Sequence, residues 1–145
     1  MMNRRRKHPK DDLKVLFMID DHAAVIATYE SAFASAGFRV RAVTSGGAAF
    51  VALQTFKPDV VIFDPDLPVA GGLRWLLAAR RIPEFADLPV VVVTGASPGS
   101  QDISAAQVAS LHGVPHKKSW TLESLVAVAH WAAKHRGVAP MVRAA

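Results

Sequence analysis

Apolar and polar positions fall along this chain in blocks that switch between two periods. LKVLFMI (13–19) is an almost unbroken apolar run that ends on Asp20 and Asp21, the pattern of a strand covered on both faces. AAVIATYESAFASAG (23–37) then returns Val25, Ile26, Tyr29 and Phe33 at helical spacing and stops at Gly37, a predicted helix. FRVRAV (38–43) alternates like a strand, and TSGGAAFVALQTF (44–56) predicts a short helix opened by Thr44 or Ser45. The run VVIF (60–63) predicts a third strand. GGLRWLLAARR (71–81) brings Leu73, Leu76 and Leu77 to one face of a third helix, and PVVVVTG (89–95) is a β-branched fourth strand up to Thr94. SQDISAAQVASLHG (100–113) is a weaker helix of small residues, followed by a very short fifth strand around Val114 to Lys117. TLESLVAVAHWAAKH (121–135) closes the pattern as an amphipathic helix capped by Thr121 or Ser119. Five strands alternating with five helices through short connections predict an α/β fold, a parallel sheet with helices on both faces and right-handed crossovers.

Composition narrows this picture without redirecting it. At 145 residues and 51% hydrophobic content the chain suits one domain with a proper core. Its zero cysteines exclude disulfides and thiolate metal sites and agree with a reducing cytoplasm, the expected location. No apolar run approaches the roughly 20 residues that span a bilayer. The net charge of +5 is unevenly placed: Arg4, Arg5, Arg6, Lys7 and Lys10 lie in the first ten residues, which leaves twelve bases and twelve acids from Asp11 onward. The expected organisation is therefore a basic flexible arm at 1–12, a folded domain at 13–136 and a flexible tail at 137–145. The arm reads as a solvated leader rather than a nucleic-acid surface, and no direct nucleic-acid binding is expected.

Chemistry collects where strands end. In parallel sheets ligands gather outside the carboxyl ends of the strands, and the residues there are Asp20 and Asp21 after the first strand, Asp64 after the third, Thr94 at the end of the fourth and Lys117 or Lys118 after the fifth. If the first strand lies between the second and third, these tips converge on one cleft. Clustered carboxylates repel, and a hard cation relieves them; Mg2+ takes one or two carboxylates and keeps waters. The stretch VVIFDPDLP (60–68) alone leaves two chemistries open, since an Asp64-x-Asp66 pair on a strand tip also describes an aspartate-based phosphohydrolase.

The residues LFMIDDH at the first strand, PDVVIFDPDLPVAGG around Asp64, VVVVTG at the fourth strand and KSWTLESL before the last helix together make the chain resemble a receiver domain of two-component response regulators, over residues 13 to about 135. The resemblance implies a flavodoxin-like (βα)5 fold with a doubly wound five-stranded sheet in the order 2-1-3-4-5. It implies phosphorylation of Asp64 by a histidine kinase or a histidine phosphotransfer protein, with Mg2+ held by Asp20, Asp21, Asp64 and the backbone carbonyl of Asp66. Thr94 and a lysine would bind the phosphoryl group. Counting back from Leu122, Glu123 and Leu125 selects Lys118. It further implies a signalling module rather than an enzyme, acting alone because no effector domain fits in the remaining residues, with a downstream protein target and no membrane span. A homodimer through the 100–113 helix, the fifth strand and the last helix is compatible with it.

Three positions depart from the family pattern. Ser119 stands where the family has a proline reached through a cis peptide, and a cis bond before a non-proline residue costs roughly 3–4 kcal/mol. Pro65 follows the acceptor directly and has no N–H to offer a phosphoryl oxygen. The fifth strand has Pro115 or His116 where the family carries an aromatic switch residue. These keep a second reading in view, a receiver-shaped interaction module independent of phosphate. A haloacid dehalogenase-type phosphatase is a third, although that family places its D-x-D on the first strand. The remaining histidines read more plainly: Gly113 and Pro115 break any helix that would align His112 with His116 as metal ligands, His130 and His135 read as surface or half-buried packing, and His22 as solvent-exposed. Trp75 and Trp131 fit a core or an interface, and Gly46–Gly47 is too short to be a phosphate loop.

Overall fold

The computed structural model describes residues 13–18, 23–64, 73–94, 113–117 and 121–137. Along the chain these form β1 (Lys14–Met18), α1 (Ala23–Ser35), β2 (Arg39–Val43), α2 (Gly46–Thr55), β3 (Val60–Phe63), α3 (Leu73–Arg80), a 3-10 turn (Pro83–Phe85), β4 (Val90–Thr94), β5 (Gly113–Lys117) and α4 (Leu122–Lys134). All strand pairs are parallel, in the order β2-β1-β3-β4-β5. This is the expected doubly wound sheet, with β1 between β2 and β3. The predicted helix over 100–113 lies outside the described residues up to its last position, Gly113, which instead opens β5.

Unbroken apolar runs became central strands because a sheet clad on both faces leaves no side for a polar residue. Val60, Val61, Ile62 and Phe63 are all fully buried. Two cores result, one on each face of the sheet. Leu16, Met18, Val61, Phe63, Val90 and Val92 meet α2 and α3 on one side. Val15, Phe17, Val60, Ile62, Val91 and Val93 meet α1 and α4 on the other. The alternation within each strand divides them cleanly, as a period of two requires.

Two helical faces differ from the expected stripes. On α3 the buried positions are Trp75, Leu76 and Ala79, whereas Leu77 is 42% exposed. The indole decides the rotation: it lies 5.3 Å from the Phe50 ring and 5.5 Å from the Phe63 ring, and its Nε1–H donates to Gly46 O at 3.2 Å. A ring of that size with a polar edge displaces leucine from the buried stripe once its N–H finds an acceptor. On α1, Phe33 is buried and Ile26 and Tyr29 half-buried, but Val25 is 39% exposed, since it sits at the margin of the stripe in the first turn.

The caps resolve the alternatives left open. Ser45 opens α2, its hydroxyl accepting from Ala48 N–H at 3.1 Å, and Thr121 opens α4, accepting from Ser124 N–H at 3.0 Å. Replacing Thr121 by Ala removes the side-chain acceptor of that cap and is expected to cost about 1 kcal/mol, read in urea as a lower midpoint at unchanged slope. Beyond α3 the chain turns on Arg80, whose Nη1 donates to the carbonyls of Phe85 at 3.0 Å and Leu88 at 2.6 Å. Burial pushes this guanidinium down to about 10 against the pull of Asp87, so it keeps its charge at neutral pH.

Candidate functional site

The carboxyl ends of β1, β3, β4 and β5 lie at one end of the sheet. Met18 at the end of β1 pairs with Phe63 at the end of β3, Phe63 with Val92 of β4, and Thr94 at the end of β4 with Lys117 at the end of β5. Asp64 is the first residue past β3. Its N–H donates to Met18 O at 3.0 Å, which extends the β1–β3 ladder by one bond and ties the backbone of this aspartate to the end of β1. Its side chain is half-buried. The order β2-β1-β3 makes the gap between β1 and β3 the switch point, where connections leave for opposite faces and a crevice opens.

A stack of rings supports this tip from the α2–α3 side. Phe63, adjacent to Asp64, is fully buried and meets Trp75, which meets Phe50 on α2, with interplanar angles of 33° and 35°. The sequence marks Trp75 only as core or interface. Its role in holding the end of β3 depends on a contact between α3 and a strand ten or more residues earlier, which helical periodicity does not report.

Of the sequence-derived site, the structure thus brings together Asp64, the backbone of Thr94 at the end of β4 and the end of β5. Asp20, Asp21, Asp66 and Lys118 lie outside the described residues, as do Pro65 and Ser119. β5 runs through Lys117, so in sequence Lys118 is the first residue past its strand, as Asp64 is past β3. Pro115 pairs with Val92 and His116 with Val93, so the described fifth strand reads Gly-Val-Pro-His-Lys and has no aromatic switch residue. Among the histidines expected to serve packing, His130 is half-buried and its Nε2 lies 3.1 Å from Ala36 O. His135 is exposed, stacked on the Trp131 indole at 4.4 Å.

Comparison with known proteins gives consistent matches. The family model of the response regulator receiver domain matches residues 16–130. The chain is 35% identical over 65 residues to the DNA-binding transcriptional activator EvgA of Escherichia coli (strain K12), covering 44% of this chain and 32% of that protein. It is 26% identical over 121 residues to the DNA-binding transcriptional regulator NtrC of Salmonella typhimurium, covering 83% and 25%. The match thus spans a third or less of these curated relatives. A solved chain from Chloroflexus aurantiacus J-10-fl, described as a response regulator, aligns with a TM-score of 0.72 at 25% identity over 85% of this chain and 98% of that one. The chemotaxis protein CheY4 of Vibrio cholerae aligns with a TM-score of 0.70 at 20% identity over 83% and 98%, a likeness of fold. No helix among the described residues is long and apolar enough to cross a membrane.

Proposed function

Because the chain belongs to the response regulator receiver domain family, a signalling module of two-component systems rather than a catalyst, we propose that it accepts a phosphoryl group on Asp64 and relays the signal by protein contact. The observation that carries this reading is the position of Asp64, half-buried and bonded through its N–H to Met18 O at the switch point of the sheet. The donor is a phosphohistidine of a kinase or phosphotransfer protein. A carboxylate oxygen of Asp64 attacks phosphorus, the P–N bond breaks, and its electron pair leaves with the imidazole; the product is an acyl phosphate. Receiver domains generally bind Mg2+ at this site. Here Asp20, Asp21 and Asp64 with the Asp66 carbonyl form an all-oxygen donor set suited to Mg2+, and the ion would neutralise charge on the phosphoryl oxygens. Thr94 donates a hydrogen bond to one phosphoryl oxygen and Lys118 pairs with another, so the protein's part is positioning and electrostatics.

The receiver unit in this reading runs over 13–136, between a basic arm and a short tail. In this reading it acts in the cytoplasm and binds a downstream protein, without direct contact to nucleic acid. The matched stretch leaves most of EvgA and NtrC outside it, so their DNA-binding descriptions support no such contact here. The aspartate phosphohydrolase reading has no support from this family, and its Asp64-x-Asp66 follows the third strand of the sequence rather than the first. A phosphate-independent interaction module is favoured by one observation, the lack of a Tyr or Phe on β5.

One experiment separates the two surviving readings. Acetyl phosphate or beryllium fluoride is added to the full chain with and without Mg2+, followed by mass and by backbone NMR. The expected result is a Mg2+-dependent adduct with shifts centred on the amides at the ends of β1, β3 and β4. An unchanged spectrum at millimolar ligand would favour the phosphate-independent module.

A further inference from the structure

The β2 side of the molecule carries a feature that phosphoryl transfer does not use. Among the described residues β2 is the terminal strand of the sheet. Arg39 N–H donates to Leu13 O at 2.8 Å, and a residue in a parallel ladder turns both its backbone groups to one neighbour. Arg39 and Arg41 therefore bond inward to β1, and Val40 and Ala42 turn their N–H and C=O groups to the open edge. The side chains divide as well. Val40 and Ala42 pack into the core beneath α1, whereas Arg39 and Arg41 stand exposed on the opposite face.

That face is strongly basic. Arg41 lies with its guanidinium carbon 4.9 Å from the centre of the Phe56 ring, and Lys14 Nζ is 5.9 Å from the same ring. Lys14 is the register partner of Arg39, and Lys57 follows Phe56, exposed. Lys14, Arg39 and Arg41 thus share one corner. No ion pair engages Arg39, Arg41, Lys14 or Lys57 among the described residues. Among the described residues Asp59 lies beside Lys14, its Oδ2 accepting the Lys14 backbone N–H at 2.8 Å. In sequence, five bases within residues 1–10, followed by Asp11 and Asp12, precede Leu13, whose carbonyl accepts from Arg39 N–H.

We propose that the β2 edge docks an extended acidic segment of a partner protein, added to the sheet as a sixth strand. Strand addition supplies backbone bonds to Val40 and Ala42, and acids at alternate positions of the incoming segment fall opposite Arg39 and Arg41. A second copy of the chain is a poor occupant, because pairing β2 with β2 sets arginines against arginines. A nucleic acid satisfies the charges but leaves the edge amides without partners. This docking is independent of Asp64 chemistry and lies on the far side of β1 from β3.

The test uses the full chain and a short synthetic peptide of alternating Glu and Thr at physiological salt. Binding is followed by fluorescence anisotropy and by amide hydrogen exchange. The peptide is expected to bind, to slow exchange at Val40 and Ala42 specifically, and to lose affinity by about tenfold or more in Arg39→Glu/Arg41→Glu. If charge reversal perturbs folding, the Arg39→Gln/Arg41→Gln pair is used in its place. Unchanged exchange at Val40 and Ala42, full affinity in the variant, or no binding at all overturns the proposal. Equal binding of a single-stranded oligonucleotide of matched charge, without protection of those two amides, also overturns it and assigns the attraction to the basic arm as a polyelectrolyte.

Discussion

Asp64→Asn is expected to abolish the Mg2+-dependent adduct formed with acetyl phosphate, while leaving the fold intact. The substitution keeps the size of the side chain and the backbone N–H bond to Met18 O, so the β1–β3 ladder at the site survives. It removes the charged oxygen that attacks phosphorus, for which an amide oxygen is no substitute as a nucleophile. It also withdraws one anionic ligand from the proposed Mg2+ set, so metal affinity falls with it. Intact-protein mass spectrometry reports the loss, and circular dichroism and thermal melting report the fold. If Asp64 belongs to the proposed group with Asp20 and Asp21, a melting temperature at or above that of the parent accompanies the loss, because removing one acid from a group of like charges relieves repulsion. If the variant still takes up a phosphoryl group with Mg2+, Asp64 is not the acceptor; Asp66, two residues on, is then the next carboxylate to replace.

The described part of the candidate site, Asp64 past β3, was readable from the chain because the position just beyond a buried strand is marked by an abrupt change from apolar to charged residues. VVIF into Asp64 is such a step, and so is the end of LKVLFMI at Asp20 and Asp21. What the pattern does not encode is register. The hydrogen bond from Asp64 to Met18 and the pairing of Thr94 with Lys117 depend on how neighbouring strands slide, and hydrophobic runs buried on both faces carry no alternation to fix it. The choice between Lys117, the last residue of β5, and Lys118, outside the described residues, turns on the same quantity.

Helix faces were legible to the extent that one residue class set them. α1 buries Phe33 as its spacing predicts, whereas α3 rotates to bury Trp75 rather than Leu77. Hydropathy ranks leucine above tryptophan, but the larger ring buries more area and its N–H reaches Gly46 O, so tertiary packing overrides the leucine periodicity. β2 shows the converse. Its alternation was read as a strand, and the arginines that produced the alternation turn out to mark which face is open.

The largest loss of stability is expected at Phe33. It is fully buried on α1, 4.9 Å from the Phe17 ring at 87° and 5.3 Å from the Phe38 ring; Phe38 in turn lies 4.6 Å from His130 on α4. Phe33 is therefore the ring through which β1, α1 and α4 pack together. Truncation to Ala removes apolar burial and leaves a cavity, for about 3–5 kcal/mol, and the two edge-to-face or tilted ring contacts contribute part of that loss. The better helix propensity of Ala returns about 0.5 kcal/mol. A net loss of about 3–4 kcal/mol corresponds to a melting temperature lower by roughly 10–20 °C for a domain of this size. Against a typical total stability of about 5–15 kcal/mol the variant is marginal. Phe33→Leu keeps most of the volume and is expected to lose only about 1 kcal/mol, and Leu77→Ala on the exposed face of α3 stays within about 0.5 kcal/mol. If Phe33→Ala and Leu77→Ala proved equally mild in urea titrations, the core beneath α1 and α4 would not be the principal source of stability on that face of the sheet.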